Sequence, residues 1–179
     1  MAHIPLQDGL PGIVGLFAFS PETATALREL AEVLLRGSNS LTSGEREMLA
    51  SYVSFRNRCD FCQLSHGAAA AAHFGGDARI VDGVIRDVGT ADVSDKMKAL
   101  FTIASKVQEG GKLVTSEDVA VARQHGATDK EVHDTVLIAA AFCMYNRYVD
   151  GLGTWQPRDP NMYREMGERM AGQGYVRAQ

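Results

Sequence analysis

Residues 47–66 read Glu47-Met-Leu-Ala-Ser-Tyr-Val-Ser-Phe-Arg-Asn-Arg-Cys59-Asp-Phe-Cys62-Gln-Leu-Ser-His66, and they organise the interpretation of the whole chain. Two cysteines stand three positions apart, and a histidine follows four positions after the second. At about 100° of rotation per helical residue, Cys59, Cys62 and His66 fall within roughly 60° of one another on one helical face. The two thiols are then close enough to form a disulfide, with an imidazole one turn away. The stretch predicts a thiol redox centre on a helix.

The capping signals around this stretch predict two helices rather than one. Thr42 and Glu45 have the pattern of a capping box, which predicts a helix extending to about Arg56. If that helix continued through Cys59, Glu47 would lie about 18 Å away along the axis, at about 1.5 Å per residue. The carboxylate and the thiol could not cooperate over that distance. We therefore expect a break before the cysteines.

The second helix is expected to begin near Asn57 and to fold back against the first. Asn57 is a suitable N-cap, with Asp60 at the third position, and a glycine pair after about Phe74 predicts the end of the helix. This arrangement would place the cysteine pair at a helix N-terminus, where the macrodipole favours a thiolate.

The rest of the chain has helix signals and no convincing alternating strand pattern. Further helices are predicted to start at Ser20-Pro21, near Ala78, at Ser94, at Ser116 and at a second capping box at Thr128. The helix after Thr128 should extend to about Val149. Its apolar run over residues 136–144 predicts that it is the central, most buried element.

We predict an all-α, multi-helix single domain over residues 1–179, a length that suits one domain with a full-sized core. Residues 1–19 contain prolines and glycines that interrupt a helix, so they are expected to form an extended arm. The apolar side chains of this arm need cover from the domain or from a neighbouring subunit. Residues 155–179 are expected to form a C-terminal tail with a short amphipathic helix at about 161–170.

Composition and charge argue against several classes of partner and location. The formal net charge is −4 and no basic block is present, so neither nucleic acid nor an anionic membrane is expected to bind. The N-terminus lacks a signal-peptide pattern, and the longest apolar tract, 136–144, is too short to span a bilayer. Three cysteines form no disulfide framework, which suits a reducing compartment. We expect a cytoplasmic protein.

Metal binding and chemically inert cysteines are the alternatives to a redox pair. The two cysteines and His66 would give zinc three ligands, with Glu47 or His73 as a fourth. Ligands within two turns of one helix rarely converge tetrahedrally on a metal. A c-type haem needs a histidine directly after the second cysteine, where this chain has Gln63. We expect neither a metal nor another cofactor.

Thiol redox chemistry has a use for each of these residue types. Only a thiolate attacks a peroxide or a disulfide, and a helix N-terminus and a nearby imidazolium both stabilise the thiolate. A carboxylate on the neighbouring helix could orient His66 or relay its proton. A second cysteine one turn away can form a disulfide before the oxidised sulfur reaches irreversible states.

The pattern Glu-x11-Cys-x2-Cys-x3-His, formed by Glu47, Cys59, Cys62 and His66, resembles the AhpD-like alkylhydroperoxidases of the carboxymuconolactone decarboxylase superfamily. The opening Ile-Pro-Leu and the later Tyr-Asn-Arg-Tyr-Val-Asp-Gly-Leu-Gly are similar to its peroxidase-related branch. The similarity covers about residues 4–154. It implies an AhpD-like helical fold, a homo-oligomer such as a trimer or hexamer, and a cysteine-dependent peroxidase without haem or flavin.

The resemblance also implies a role for each site residue. Cys62 would be the peroxidatic thiol, Cys59 the resolving thiol, and His66 with Glu47 the proton relay. The substrate would be an organic or hydrogen peroxide, and the electron donor a thioredoxin-like or lipoyl-bearing dithiol protein, in antioxidant defence. This chain departs from the family at Phe61, where better-known members often have a histidine. The departure puts the strength or direction of the activity in question.

Two other functions remain open alongside the peroxidase. One is a general disulfide oxidoreductase or redox sensor, in which peroxide is incidental. The other is a carboxymuconolactone decarboxylase-like enzyme, whose chemistry has no evident use for a cysteine pair.

Four further residues are secondary candidates for the site. His73 shares a helical face with His66 and could join it. Asn146 and Asp150, one turn apart, could line a pocket or bind neighbouring backbone. Cys143 lies in the apolar helix and is expected to be a small core residue.

Overall fold

The helices and turns of this protein come from a computed structural model that describes residues 2–176. They are α1 (Ile13–Phe19), α2 (Pro21–Arg36), α3 (Ser43–Arg56), α4 (Asp60–His73), α5 (Arg79–Arg86), α6 (Asp95–Glu109), a 3-10 turn (Gly111–Leu113), α7 (Ser116–Gln124), α8 (Asp129–Gly151) and α9 (Pro160–Gln173). No strand occurs within residues 2–176, so the predicted all-α fold class is confirmed. Over the same residues, no helix combines the length and the apolar character needed to cross a bilayer.

Most helix starts follow the capping signals in the sequence. Thr42 and Thr128 each accept from the backbone N–H three residues later in complete capping boxes, and Ser94 caps α6 in the same way without the reciprocal bond. At α7 the cap is Thr115, one residue before the predicted start at Ser116. At α2 the helix begins at Pro21, but the Ser20 side chain makes no capping bond.

The predicted break before the cysteines is confirmed, but the predicted N-cap is wrong. Asn57 is the C-cap of α3, Arg58 has a left-handed φ of 61°, and Cys59 is the N-cap of α4. The Asn57 amide cannot cap α4 because it is engaged elsewhere: it donates to Asn146 Oδ1 at 2.8 Å and accepts from Gln108 at 2.9 Å. The tight turn at residues 57–59 folds α4 back against α3.

The most buried helix is α3, not α8 as the apolar run predicted. Ten of the 14 residues of α3 are buried, against ten of the 23 in α8. The reason is position: α3 is packed by α2, α4, α5, α6 and α8, whereas α8 leaves one face with Leu137 and Met144 exposed. The apolar composition of α8 therefore predicted deeper burial than this helix has in the fold.

The prediction of an extended arm over residues 1–19 is wrong for its second half, which forms α1. Gly12 adopts a φ of 51° and redirects the chain, after which residues 13–19 are long enough for two helical turns. The arm covers its own domain, because the N–H groups of His3 and Gly12 donate to the carbonyls of Leu152 and Trp155 at 2.9 and 2.8 Å. Within α1, Leu16 is fully buried beside the cysteines.

The predicted C-terminal helix is present as α9, which is longer than expected and packs along α4. Close packing depends on Gly167, where a Cβ would lie 2.5 Å from the carbonyl carbon of Ala68. Residues 174–176 then return towards α2 and α3, because the N–H of Tyr175 donates to Glu32 at 2.6 Å. Residues 177–179 of the predicted tail lie outside the described residues.

Gly167→Ala is expected to lower the free energy of unfolding by about 1–3 kcal/mol, because the added methyl group forces α9 away from α4. Gly172→Ala is the matched control on the same helix. Its Cβ meets nothing within 4 Å, so it should be neutral or stabilising by up to about 1 kcal/mol. Urea unfolding followed by circular dichroism measures both, and equal effects would refute the close α4–α9 contact.

Candidate active site

The Glu47 carboxylate lies at the centre of the site, on the most buried helix. Its side chain is fully buried and accepts three hydrogen bonds from three different parts of the chain. Oε2 accepts from His66 Nδ1 at 2.7 Å, and Oε1 accepts from Arg36 Nη2 at 2.7 Å and from the Tyr175 hydroxyl at 2.5 Å. The two helices joined by the turn at 57–59 therefore bring Glu47 and His66 into direct contact, as the sequence predicted.

The surroundings of Glu47 keep its carboxylate ionised. Burial acts to raise the pKa of Glu47, but the charge and hydrogen bond of His66, the charge of Arg36 and the hydrogen bond of Tyr175 outweigh it. The net result is a pKa below the ordinary value for a glutamate.

The imidazole of His66 is held in one orientation by two aromatic rings. Phe142 packs edge-on against it with centroids 4.6 Å apart, and the Tyr175 ring lies nearly parallel to it at 6.1 Å. Because Nδ1 bonds to Glu47, Nε2 is the ring nitrogen that remains available for other partners. His66 lies one turn after Cys62 on α4, and both residues line the same cavity.

The two cysteines are reduced and buried at the start of α4. Cys59 is the N-cap and Cys62 is the third helical residue, so both lie near the positive end of the helix dipole. Hydrogen bonding of the Cys59 thiol with Cys62, together with burial and a hydrogen bond to Asp150, raises the pKa of Cys59. These contacts therefore disfavour a thiolate on Cys59.

A cavity of about 610 Å³ opens in front of Cys62 and His66. Its walls are mainly apolar side chains from α1, α2, α8 and α9, including Ile13, Val14, Phe17, Leu27, Ala31, Phe142, Met166 and Met170, with Arg28 and Arg169 adding positive charge. Phe61 forms part of this wall. Its ring contacts the backbone at Gly12, where a Cβ would lie 2.2 Å from a ring carbon, so only glycine fits there.

The secondary candidates lie outside this cavity. His73 is at the end of α4, where burial and then the charge of Arg36 lower its pKa, and it does not line the cavity. Asn146 is buried and donates to Ser54 at 3.0 Å. Asp150 lines a separate surface cleft and is hydrogen-bonded with the Cys59 thiol. Cys143 is only partly buried, with its sulfur 3.5 Å from the Asn57 amide nitrogen.

Two site residues were missed by the sequence analysis. Arg36 ends α2, where a basic residue is common for reasons of the helix dipole alone. Tyr175 lies 128 positions after Glu47, beyond the last helix, and no motif marks it. Neither residue has a local signal, because each reaches the site only through the packing of α2 and α9 around α3 and α4.

No cluster of three or more histidine, cysteine or acidic side chains in residues 2–176 is arranged to hold a metal ion. Although Cys59, Cys62 and His66 lie within the first two turns of α4, His66 directs one nitrogen to Glu47. The arrangement is a hydrogen-bonded histidine–glutamate pair beside two free cysteines.

Comparison with known proteins gives a family match over part of the chain and shows the fold. The model of the carboxymuconolactone decarboxylase family matches residues 21–106, which include α2, α3, α4 and both cysteines. Comparison with curated protein sequences returns no match.

Solved structures share the fold over most of the chain. A peroxidase-related protein from Ralstonia eutropha JMP134, described as an alkylhydroperoxidase AhpD core, is 27% identical, with a TM-score of 0.78 over 88% of this chain and 81% of that one. A peroxidase-related protein from Silicibacter sp. TM1040 is 23% identical, with a TM-score of 0.79 over 91% and 94%. A protein from Agrobacterium tumefaciens is 19% identical, with a TM-score of 0.67 over 83% and 99%. The predicted AhpD-like fold is confirmed.

Iodoacetamide at neutral pH is expected to modify Cys62 more than about tenfold faster than Cys59, because the raised pKa of Cys59 keeps that thiol protonated. The measurement is peptide mass spectrometry on reduced Cys143→Ser protein, which removes the third thiol. The same protein unfolded in urea is the control and should react equally at both positions. Equal modification in the folded state would contradict the assignment of the protonated thiol.

Proposed function

We propose that this chain, which belongs to the carboxymuconolactone decarboxylase family, is a thiol-dependent peroxidase that reduces hydroperoxides through a Cys62–Cys59 dithiol–disulfide cycle. The family match and the peroxidase-related structural neighbours support a peroxidase-related antioxidant role. The observation that carries the finer proposal is the 2.7 Å contact between His66 Nδ1 and the buried Glu47 carboxylate, one helical turn from Cys62. That contact provides an acid–base pair beside the thiol.

The first chemical step is attack by the Cys62 thiolate on the terminal oxygen of the peroxide. A sulfur–oxygen bond forms as the oxygen–oxygen bond breaks, so Cys62 becomes a sulfenic acid and the peroxide is reduced to an alkoxide. The alkoxide takes a proton from the His66 imidazolium and leaves as the alcohol. Cys62 is assigned the attacking role because it lines the cavity and Cys59 does not, and because hydrogen bonding with Cys62 and burial raise the pKa of Cys59.

The second step closes the disulfide. The Cys59 sulfur attacks the sulfenic sulfur of Cys62, the sulfur–sulfur bond forms, and hydroxide leaves as water with the proton that Cys59 gives up. A dithiol donor of the thioredoxin-like or lipoyl-bearing class then restores both thiols by exchange, and becomes a disulfide itself. Electrons therefore pass from the donor dithiol to the peroxide.

The Glu47 carboxylate serves His66 rather than the substrate. With Nδ1 bonded to Glu47, the Nε2 nitrogen is the one that exchanges a proton with the thiol and the leaving alkoxide. The negative charge of Glu47 stabilises the imidazolium, which in turn stabilises the Cys62 thiolate. This role requires no metal, haem or flavin.

The cavity in front of Cys62 favours organic hydroperoxides. Its walls are largely apolar, and a volume of about 610 Å³ accommodates an aryl or alkyl group that hydrogen peroxide does not have. Transfer of such a group from water to apolar walls stabilises the bound substrate by about 25 cal/mol per Å².

The peroxidase is further proposed to be a homo-oligomer. Leu137 and Met144 on α8 and Phe19 at the end of α1 are large apolar side chains exposed on the single chain. Exposed apolar side chains of this kind are expected at an interface between subunits.

Mixing reduced protein with cumene hydroperoxide is expected to remove two of the three thiols of the chain, counted with a thiol reagent over time. Cys62→Ser should abolish the reaction, because the attacking sulfur is gone. Cys59→Ser should stop at a sulfenic acid on Cys62, with one thiol lost. Cys143→Ser is the control and should react at the wild-type rate.

Other outcomes of that experiment identify a different function. Retention of all thiols in the presence of cumene hydroperoxide would overturn the peroxidase proposal. Rapid reaction with a protein disulfide alone would then identify a disulfide oxidoreductase. Consumption of a carboxymuconolactone by the double cysteine variant would instead identify a decarboxylase.

The protein is expected to have a kcat/KM for cumene hydroperoxide at least about tenfold above that for hydrogen peroxide, because only cumene hydroperoxide fills the apolar cavity. Leu27→Gln should reduce the preference by making the α2 wall of the cavity polar. Leu30→Gln is the matched control, because Leu30 is partly buried on the same helix but does not line the cavity. A preference unchanged by Leu27→Gln would show that the cavity does not bind the organic group.

A further inference from the structure

The last described residues of the chain, 174–176, return to the centre of the site. Gly174 turns the chain after α9 with a φ of 70°, and a Cβ there would lie 2.5 Å from a Glu32 carboxylate oxygen. The next two backbone N–H groups, of Tyr175 and Val176, donate to the same Glu32 oxygen at 2.6 and 3.4 Å. The segment is therefore anchored to α2, and only glycine fits at its turn.

This anchoring delivers the Tyr175 side chain to Glu47. The phenol oxygen lies 2.5 Å from Glu47 Oε1 and 3.3 Å from His66 Nδ1. The Arg36 guanidinium lies over the Tyr175 ring, 5.2 Å from the ring centre. Burial and the charge of Glu47 raise the pKa of Tyr175 well above its ordinary value, so the hydroxyl stays protonated and donates to the carboxylate.

We infer that Tyr175 is a positioning residue of the Glu47–His66 pair. Its hydroxyl shares Oε1 with Arg36, which leaves Oε2 for His66 alone. The carboxylate is thereby held in the one rotation in which Nδ1 is bonded and Nε2 is free for the cavity. The nearly parallel tyrosine ring covers the imidazole on one side. The C-terminal segment is thus part of the active site, and it acts on the thiol only through Glu47 and His66.

Two buried tyrosines, Tyr145 and Tyr163, make a different kind of hydrogen bond from that of the partly buried Tyr175. The hydroxyls of Tyr145 and Tyr163 donate to backbone carbonyls, of Leu27 and Pro157, at 2.8 and 3.1 Å. Those bonds satisfy a buried hydroxyl and nothing more. Tyr175 donates to an ionised side chain, and such charge-assisted bonds are roughly twice as strong as neutral ones.

The test is the pH dependence of Cys62 alkylation by iodoacetamide. It is measured on four proteins that all carry Cys143→Ser: one with no other change, one with Tyr175→Phe, one with Glu47→Gln and one with both of these substitutions. The alkylation rate reports the thiolate directly and uses no peroxide. Although the inference rests on the proposed function for its catalytic meaning, it therefore stands or falls separately from peroxidase activity.

Tyr175→Phe is expected to move the midpoint of the alkylation profile to higher pH by about 0.5–1 unit. The sign follows from the geometry, because the Tyr175 hydrogen bond helps to hold Oε2 of Glu47 against His66 Nδ1. Without it the carboxylate stays ionised but is less well held against His66, so the imidazolium and in turn the thiolate are less stabilised. The rate with cumene hydroperoxide at neutral pH should fall about three- to tenfold.

A positioning residue that acts through Glu47 should have no further effect once Glu47 is neutral. In the Glu47→Gln background, Tyr175→Phe should therefore leave both the profile and the rate unchanged within about twofold. Tyr52→Phe is the matched control, because it removes a hydroxyl from a buried tyrosine that packs against Phe101 away from the site. It should leave the midpoint where it is in the wild type.

Gly174→Ala provides an independent variant that keeps the phenol but strains the turn that delivers it. It should shift the profile in the same direction as Tyr175→Phe, while Gly172→Ala, in open space shortly before that turn, should not. An unchanged midpoint in both Tyr175→Phe and Gly174→Ala would overturn the inference. Equal shifts from Tyr175→Phe with Glu47 intact and in the Glu47→Gln background would also overturn it, since the effect would then bypass Glu47.

Discussion

The fully buried charge of Glu47 is the constraint on which the rest of this site depends. An ionised carboxylate removed from water destabilises a fold by several kcal/mol unless hydrogen bonds and opposite charge compensate it. Here the compensation comes from the end of α2 through Arg36, from α4 through His66 and from the C-terminal segment through Tyr175. Three separate elements must converge on α3. The hydrogen bonds that form the site are therefore also ones that the fold requires to compensate the buried charge.

The turn at residues 57–59 positions the residues of the site relative to Glu47. It reverses the chain so that α4 runs back along α3, and this places Glu47 beside His66 instead of far from it along a single rod. The same turn leaves Cys59 at the N-cap and Cys62 in the first turn of α4, near the positive end of the helix dipole. One short backbone feature thus sets both the acid–base contact and the environment of the thiols. The apolar cavity is completed by α1 and α9, which line it together with α4.

The errors of the sequence analysis share a physical origin in tertiary packing. The apolar run of α8 predicted the deepest helix, but burial depends on how many neighbours surround an element, and α3 has them on every side. Asn57 has the chemistry of an N-cap, but its amide is taken by Asn146 and Gln108, which belong to other helices. The glycines and prolines of the N-terminal arm gave no indication that residues 13–19 would form α1.

Local sequence alone determined the helical class, most helix starts and the placement of Cys59, Cys62 and His66 within two turns of one helix, because capping bonds and helical periodicity act over three to five residues. Only the tertiary structure decided which groups complete the environment of the carboxylate. Arg36 and Tyr175 lie 11 and 128 positions from Glu47, and neither carries a local pattern that connects it with a buried charge. The packing of α2, α3, α4 and α9 brings both residues to Glu47. A buried carboxylate must be hydrogen-bonded, and the donors come from the elements that surround it.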